Sequence, residues 1–255
     1  MPGRSATIVS LKSVGKSFAN GTQAIAQLDL DVHAGEFLTL LGPSGCGKST
    51  ALRLIASLTE PSHGAVAWAT PRKPGDIGFV FQEPTLMPWA TVAKNVALPL
   101  DLRGLSDADV RGRAAEALAR VGLVGFENVY PRELSGGMKM RVSIARALVT
   151  EAKVLLMDEP FAALDEITRF KLNNDLTTLA HSLGMTVIFV THSVFESVFL
   201  SNRIVVMTPR PGKVFCELDI DVPTPRPEAF RTSPEYAAWC RRTSEALQGA
   251  IGATT

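Results

Sequence analysis

Cysteine is scarce in this chain. Its three, Cys46, Cys216 and Cys240, are odd in number and widely scattered. That excludes a disulfide framework or a cysteine-based metal site and makes a reducing cytoplasm the expected setting. Long apolar runs are also missing. Nowhere do about 18 apolar residues follow one another, so no segment is expected to span a bilayer. The opening "MPGRSATIVS" lacks the apolar core of a signal peptide. An excess of one charge is absent too: 26 basic residues stand against 25 acidic ones, a formal net of +1. A general nucleic-acid binder carries a basic excess, so no nucleic-acid partner is expected. Any anion bound here must be held by local geometry.

What the chain does have is enough apolar residue, 46% of 255 positions, to bury one large core. Short apolar runs alternate with helix-period segments, the pattern of an α/β domain with a mostly parallel sheet. "EFLTLL" (36–41) predicts a buried strand and "STALRLIASL" (49–58) the helix after it. "IGFVFQ", "KVLLMDEP" (153–160) and "MTVIFVTH" (185–192) predict further strands, each ending in polar residues. Ligands in such sheets gather beyond the carboxyl ends of the strands. The first thirty-odd residues alternate apolar and polar instead, as half-solvated antiparallel strands do. Residues 84–150 predict a mainly helical insertion, with a cap signal at Ser106 and Asp109 three residues on. After Val222, alternate prolines make an extended linker, and a short helix is expected from about Pro234.

"GPSGCGKST" fits G-x-x-x-x-G-K-[ST] between a strand and a helix. There, Gly42, Pro43, Ser44, Gly45, Cys46, Gly47, Lys48, Ser49 and Thr50 are expected to cradle a nucleotide's phosphates. The glycines let backbone N–H groups face one phosphate, and the helix start adds its positive dipole end. Lys48 would reach the β- and γ-phosphates, with the Ser49 hydroxyl on Mg²⁺. Without a ligand, the alternative is a plain Gly-rich turn. Cys46 is expected to fill space; a bulky adduct there should block the pocket.

In "VLLMDEP", Asp158 is the expected Mg²⁺ holder. Glu159 beside it needs a reason, because neighbouring carboxylates repel. The reading favoured is a general base for the water that attacks the γ-phosphate; the bland alternative is a solvated acidic turn. Gln82 and His192 end two other strands. Gln82 is placed on Mg²⁺ and the attacking water, His192 on the γ-phosphate. His33, His63 and His181 lack such a setting and read as solvated.

"LSGG" (134–137) has no base near Ser135 to make it a nucleophile. A serine capping a helix, followed by Gly136 and Gly137, is instead a second helix-N-terminus anion site. Six motifs, "GPSGCGKST", "FQ", "LSGG", "VLLMDEP", "ALD" and "VTH", occur in the order and approximate spacing of ATP-binding-cassette ATPases, which this chain resembles over about residues 8–215. The resemblance implies a P-loop NTPase core with an N-terminal antiparallel β subdomain and an inserted helical subdomain. It divides the chain into an ATP-binding domain (1–225) and a tail (226–255). It implies ATP and Mg²⁺ as cofactors and head-to-tail pairing, as a homodimer or with another cassette. Ser135 and Gly137 of one copy would then grip the γ-phosphate held by Lys48 of the other. Asp165 would lie at the seam. Phe18 would stack on adenine, the alternative being a core phenylalanine. Met138 departs from the usual glutamine, and Ala162 from a common serine.

The longer strings "GFVFQEPTLMPWATVAKNVALPL", "YPRELSGGM" and "MDEPFAALDEITR" resemble the ATP-binding subunits of nitrate, sulfonate and taurine importers. That implies integral membrane permease subunits as partners, an extracytoplasmic solute-binding protein acting indirectly, and a peripheral place on the cytoplasmic face of the inner membrane. Met87, Pro88 and Trp89 would form the docking patch, unless they pack inside the insertion. The runner-up is a soluble cassette ATPase acting on nucleic acid or ribosomes; a small-molecule kinase would leave "LSGG" unexplained.

Overall fold

A computed structural model describes residues 5–253. Nine strands form one sheet in the order β4-β1-β2-β9-β8-β3-β7-β6-β5. β1 (Thr7–Ser17) pairs antiparallel with β2 (Gln23–His33) and with β4 (His63–Trp68). The other half is parallel: β3 (Phe37–Leu41) lies between β7 (Thr186–Thr191) and β8 (Arg203–Met207), and β6 (Val154–Asp158) between β7 and β5 (Ile77–Val80). β9 (Gly212–Asp219) returns antiparallel to β8 and parallel to β2, joining the two halves. Strands β3, β6, β7 and β8 are buried at every position. Covered on both faces, they read as continuous apolar runs, whereas β2 alternates because one face meets water.

Successive strand residues point to opposite faces, so each strand feeds two cores. Leu38, Leu40, Ile188 and Val190 join α1 (Lys48–Ile55) and the antiparallel strands. Phe37, Leu41, Val187 and Phe189 face the other helices. Burying each such side chain contributes roughly 1.5–3 kcal/mol.

Between β5 and β6 lie α2 (Val92–Asp101), α3 (Asp107–Arg120) and α4 (Gly136–Leu148). Ser106 caps α3: its Oγ accepts from Asp109 N at 3.3 Å and donates to Asp109 Oδ2 at 2.6 Å. Helix α1 is shorter than the periodicity predicts, because Ser57 turns left-handed at φ 57°.

α5 (Glu166–Ser182) and α6 (Val194–Leu200) flank β7 in sequence. α7 (Pro234–Gly252) runs 19 residues and corrects the expectation of a short tail helix. Its buried Tyr236, Cys240 and Thr243 form a stripe, and Tyr236 donates its hydroxyl to Phe195 O at 3.0 Å. Arg226 anchors the linker by donating to the carbonyls of Val198, Phe199, Ser201 and Val222 at 2.8–3.0 Å. Three of these lie at the carboxyl end of α6, where a cation also meets the helix dipole. Burial nonetheless pulls its pKa down to about 10. Of the histidines expected to be solvated, His63 and His181 are exposed, with His63 Nε2 3.1 Å from Ala26 O, whereas His33 is half-buried with its Nδ1 3.3 Å from Thr7 Oγ1.

Candidate functional site: a phosphate cradle at the strand ends

The parallel register assembles the site. Leu41 pairs with Thr191, and Asp158 with Val190. The chain therefore leaves β3 at Gly42, β6 at Glu159 and β7 at His192 on adjacent strands of one sheet edge. After Leu41 it curls through Gly45 (φ 75°) and Gly47 (φ 101°) into α1. At Gly47 a Cβ would stand 2.7 Å from Ala24 O, so both the left-handed backbone and the close approach require glycine.

Lys48 is buried, 3% exposed. Its ammonium donates to Gly42 O at 2.8 Å and Pro43 O at 2.9 Å, and lies 3.8 Å from Glu159 Oε1. Ser49 Oγ donates to Asp158 Oδ1 at 2.6 Å. Burial raises the Asp158 pKa; the Ser49 hydrogen bond and the Arg53 and Lys48 charges offset part of this, while the Glu159 charge adds to it. Glu159 takes φ 46°, an uncommon conformation for a side-chain-bearing residue. Its N–H donates to Val190 O at 3.0 Å, and its carboxylate lies 3.3 Å from His192 Nδ1. Cys46 is fully buried, and burial pushes its thiol pKa up. A raised thiol pKa disfavours the thiolate, the reactive form of cysteine.

A cleft of about 190 Å³ opens over this loop, lined by Phe18, Thr22, Ala24, Gly45, Gly47, Lys48, Ser49, Thr50, Glu159 and Arg210. Phe18 is 43% exposed and so not a core residue. Arg210, which no sequence pattern singled out, arrives on the β8–β9 turn and donates Nε to Gly45 O at 3.1 Å. A larger cavity of about 270 Å³, lined by Phe37, His181, Met185 and Asn202 among others, sits at the opposite strand edge and contains none of the predicted residues.

Five expected site residues, Gln82, Ser135, Gly136, Gly137 and Asp165, stand apart from the cleft. Gln82 is exposed just beyond β5. Ser135 and Gly136 are exposed at the start of α4, where Ser135 Oγ accepts from Met138 N at 3.3 Å. Asp165 caps α5 by accepting from Thr168 N at 2.9 Å, and this bond holds its carboxyl below the usual range. Gly137 is buried against α5: a Cβ there would lie 2.6 Å from Thr168 Cγ2. Its glycine thus has a reason within the chain, besides the expected approach of a ligand. Met138 packs against the helical-side core.

No group of three or more His, Cys, Asp or Glu able to hold a metal ion occurs among the described residues. A hard divalent cation needs about six oxygens, and the Ser49–Asp158 pair supplies too few alone. The donor set nevertheless fits Mg²⁺ arriving with a polyphosphate, which brings oxygens of its own, and the buried Asp158 carboxylate would be relieved by a cation.

A cradle of this geometry accompanies a match to the family model described as ABC transporter, over residues 25–162. The chain belongs to the ABC transporter family. An uncharacterized ABC transporter ATP-binding protein of Methanocaldococcus jannaschii is 44% identical over 247 residues, covering 96% of this chain and 91% of the relative. The aliphatic sulfonates import ATP-binding protein of Bacillus licheniformis is 44% identical, covering 89% of each chain. Among solved structures, the ATP-binding cassette MJ0796, a dimer in a post-hydrolysis state with ADP and Pi, superposes with a TM-score of 0.73 at 35% identity, over 84% of this chain and all of that one. A cassette from Clostridium perfringens, part of a transporter complex, gives 0.76 at 29% identity, over 84% and 89%.

This cassette is therefore an ABC ATP-binding subunit that binds ATP and hydrolyses it in a reaction coupled to transport. Its fold is the P-loop cassette. No helix among the described residues is long and apolar enough to cross a membrane.

Proposed function

We propose that two copies of this cassette pair head to tail around two ATP molecules and power an importer for a small solute of the nitrate, sulfonate or taurine type. The observation that carries the pairing is the separation of Ser135 from Lys48. Ser135 and Gly136 are exposed at a helix start and outside their own chain's cleft, which supports a second copy bringing the phosphate to them. Sulfonate-import relatives at 44% identity support the cargo class. Within this reading, residues 1–225 form the ATP-binding domain, 84–150 its helical insertion and 226–255 the tail.

In the cleft, Phe18 stacks on the adenine, and the loop amides with Lys48 hold the β- and γ-phosphates. Ser49, Asp158 and Gln82 are the residues that would hold Mg²⁺. Bound there, the ion would supply neutralisation of the charge that develops on the phosphates. Glu159 accepts a proton from the water whose oxygen attacks the γ-phosphorus; the bond to the β-phosphate oxygen breaks, yielding ADP and phosphate. His192, beside Glu159, donates to the γ-phosphate. Ser135 and Gly137 of the partner copy close the site from the other side, with Asp165 at the seam.

The permease docks on the segment after β5. Trp89 is 77% exposed there, while Met87 is held by its backbone to the Asn95 side chain. An exposed tryptophan of this kind fits an interface core. On this reading the cassette works at the cytoplasmic face of the inner membrane, with a solute-binding protein acting on the permease's far side.

The test is the mass of Glu159→Gln by light scattering, with and without ATP and Mg²⁺. We expect an ATP-dependent dimer that disappears when Ser135→Arg is added. A monomer under all conditions, even with the permease present, would overturn the head-to-tail reading.

A further inference from the structure

A buried polar cluster lies behind the strand edge and is not used by the chemistry above. Its centre is Glu196 on α6, 8% exposed. Oε2 accepts from Thr191 Oγ1 at 2.5 Å, and the same hydroxyl accepts from Ser193 N at 3.0 Å. Thr191 is the last residue of β7, and the next residue is His192, 3.3 Å from Glu159. The carboxylate of Glu196 thus fixes the turn that carries His192.

The other oxygen looks the opposite way. Glu196 Oε1 faces Arg169 Nε of α5 at 3.8 Å. Neither atom has a hydrogen-bond partner among the described residues, and the Asn173 side chain, which faces the same carboxylate, also leaves its buried Oδ1 unpaired. Arg169 spends another of its donors on Leu164 O, at 2.9 Å. Leu164 precedes Asp165, and its Cδ2 lies 3.3 Å from where a Cβ on Gly136 would stand.

Buried polar atoms without partners call for an explanation, because each costs desolvation. Here an arginine and a carboxylate face each other about 1 Å beyond the usual charge-assisted distance of about 2.8 Å. One tie therefore runs from His192 through Thr191, Glu196 and Arg169 to Leu164, next to both Asp165 and the glycines of α4.

We propose that Arg169 and Glu196 are a positioning pair for ATP hydrolysis, which locks the His192 turn to the Leu164–Asp165 loop. Seating of that loop against a second copy closes the remaining gap between the two side chains, and the His192 turn becomes rigid in the same step. The proposal rests on the reading that His192 and Asp165 serve the paired site. Neither Arg169 nor Glu196 lines the nucleotide cleft, so their loss should leave ATP binding intact.

Glu196→Gln keeps an oxygen for Thr191 while removing the charge, and Arg169→Gln removes the other partner. Single-turnover hydrolysis by the full chain with ATP and Mg²⁺ should slow about tenfold in each, with ATP affinity changed less than about twofold. The double variant should be no slower than the slower single one, as expected of residues sharing one interaction. Arg169→Lys should recover part of the rate, and it replaces Arg169→Gln if that variant does not fold. Additive losses, a joint fall in ATP affinity and rate, or an unchanged rate would each overturn the pair. Glu159→Gln and His192→Ala, measured alongside, separate the two readings. If they abolish hydrolysis while the pair variants do not matter, only the positioning proposal fails. If His192→Ala is as active as the parent, the underlying assignment fails.

Discussion

Ser49 Oγ donates to Asp158 Oδ1 across 2.6 Å, joining residues 109 positions apart at the head of α1 and the end of β6. That bond brings the hydroxyl and the carboxylate of the cradle to one point, where burial disfavours the charge on Asp158. The residues on either side, Lys48 and Glu159, lie within 3.8 Å of each other. The machinery is thus compact and electrostatically tense before any ligand enters.

A first prediction follows from that tension. Because burial raises the Asp158 pKa above 3.8, the native state holds this proton more tightly than the unfolded chain. Its contribution to stability therefore falls as pH rises from about 4 through the raised pKa, then stays constant. Asp158→Asn should raise the melting temperature of the nucleotide-free protein at pH 7.5, and raise it less at pH 4.5. The same variant should lose the Mg²⁺-dependent part of the stabilisation by ATP, measured by thermal melting.

The glycine of α4 offers a second. A Cβ at Gly137 would meet Thr168 Cγ2 at 2.6 Å, and threonine, branched at Cβ, has little freedom to yield. Gly137→Ala should destabilise the fold by about 1–3 kcal/mol in urea melts, the usual range for overpacking. Adding Thr168→Ser removes the offending methyl and should restore most of the loss. Equal stability of the single and double variants would refute the steric account.

Trp89 gives a third. It is exposed at the start of the insertion and distant in role from the cradle. Trp89→Glu should cut transport by the assembled importer at least tenfold, while hydrolysis by the cassette alone changes less than about twofold. Equal loss of both activities would argue against a docking role.

The fourth concerns the tail. Arg226 satisfies four backbone carbonyls that link α6 to the tail. Arg226→Met leaves those acceptors buried without donors, at a cost of about 3 kcal/mol. Limited proteolysis should then release the segment containing α7, while the parent protein resists cleavage there.

Much of this was legible beforehand. The strands read correctly because parallel strands covered on both faces are apolar throughout, as "VLLMD" and "TVIFVT" are. Capping chemistry is local, so Ser106 and Asp109 announced α3. The tail was harder. Its buried residues are spaced at helix period, but they include a tyrosine, a cysteine and a threonine, which give a weak apolar signal. Arg210 carried no signal, because nothing local to the "PRPG" turn says which loop it will meet. The Arg169–Glu196 pair was equally silent, since its members come from different helices.

The sequence by itself determined the element types, the phosphate loop and the order of its motifs, because these depend on side-chain period, capping and glycine at residues close together in the chain. Only the tertiary structure decided that Ser135 lies outside its own nucleotide cleft, that Phe18 lines it, and that Arg210 reaches it. Those facts depend on strand register and helix docking, where residues far apart in sequence meet through packing that no local pattern encodes.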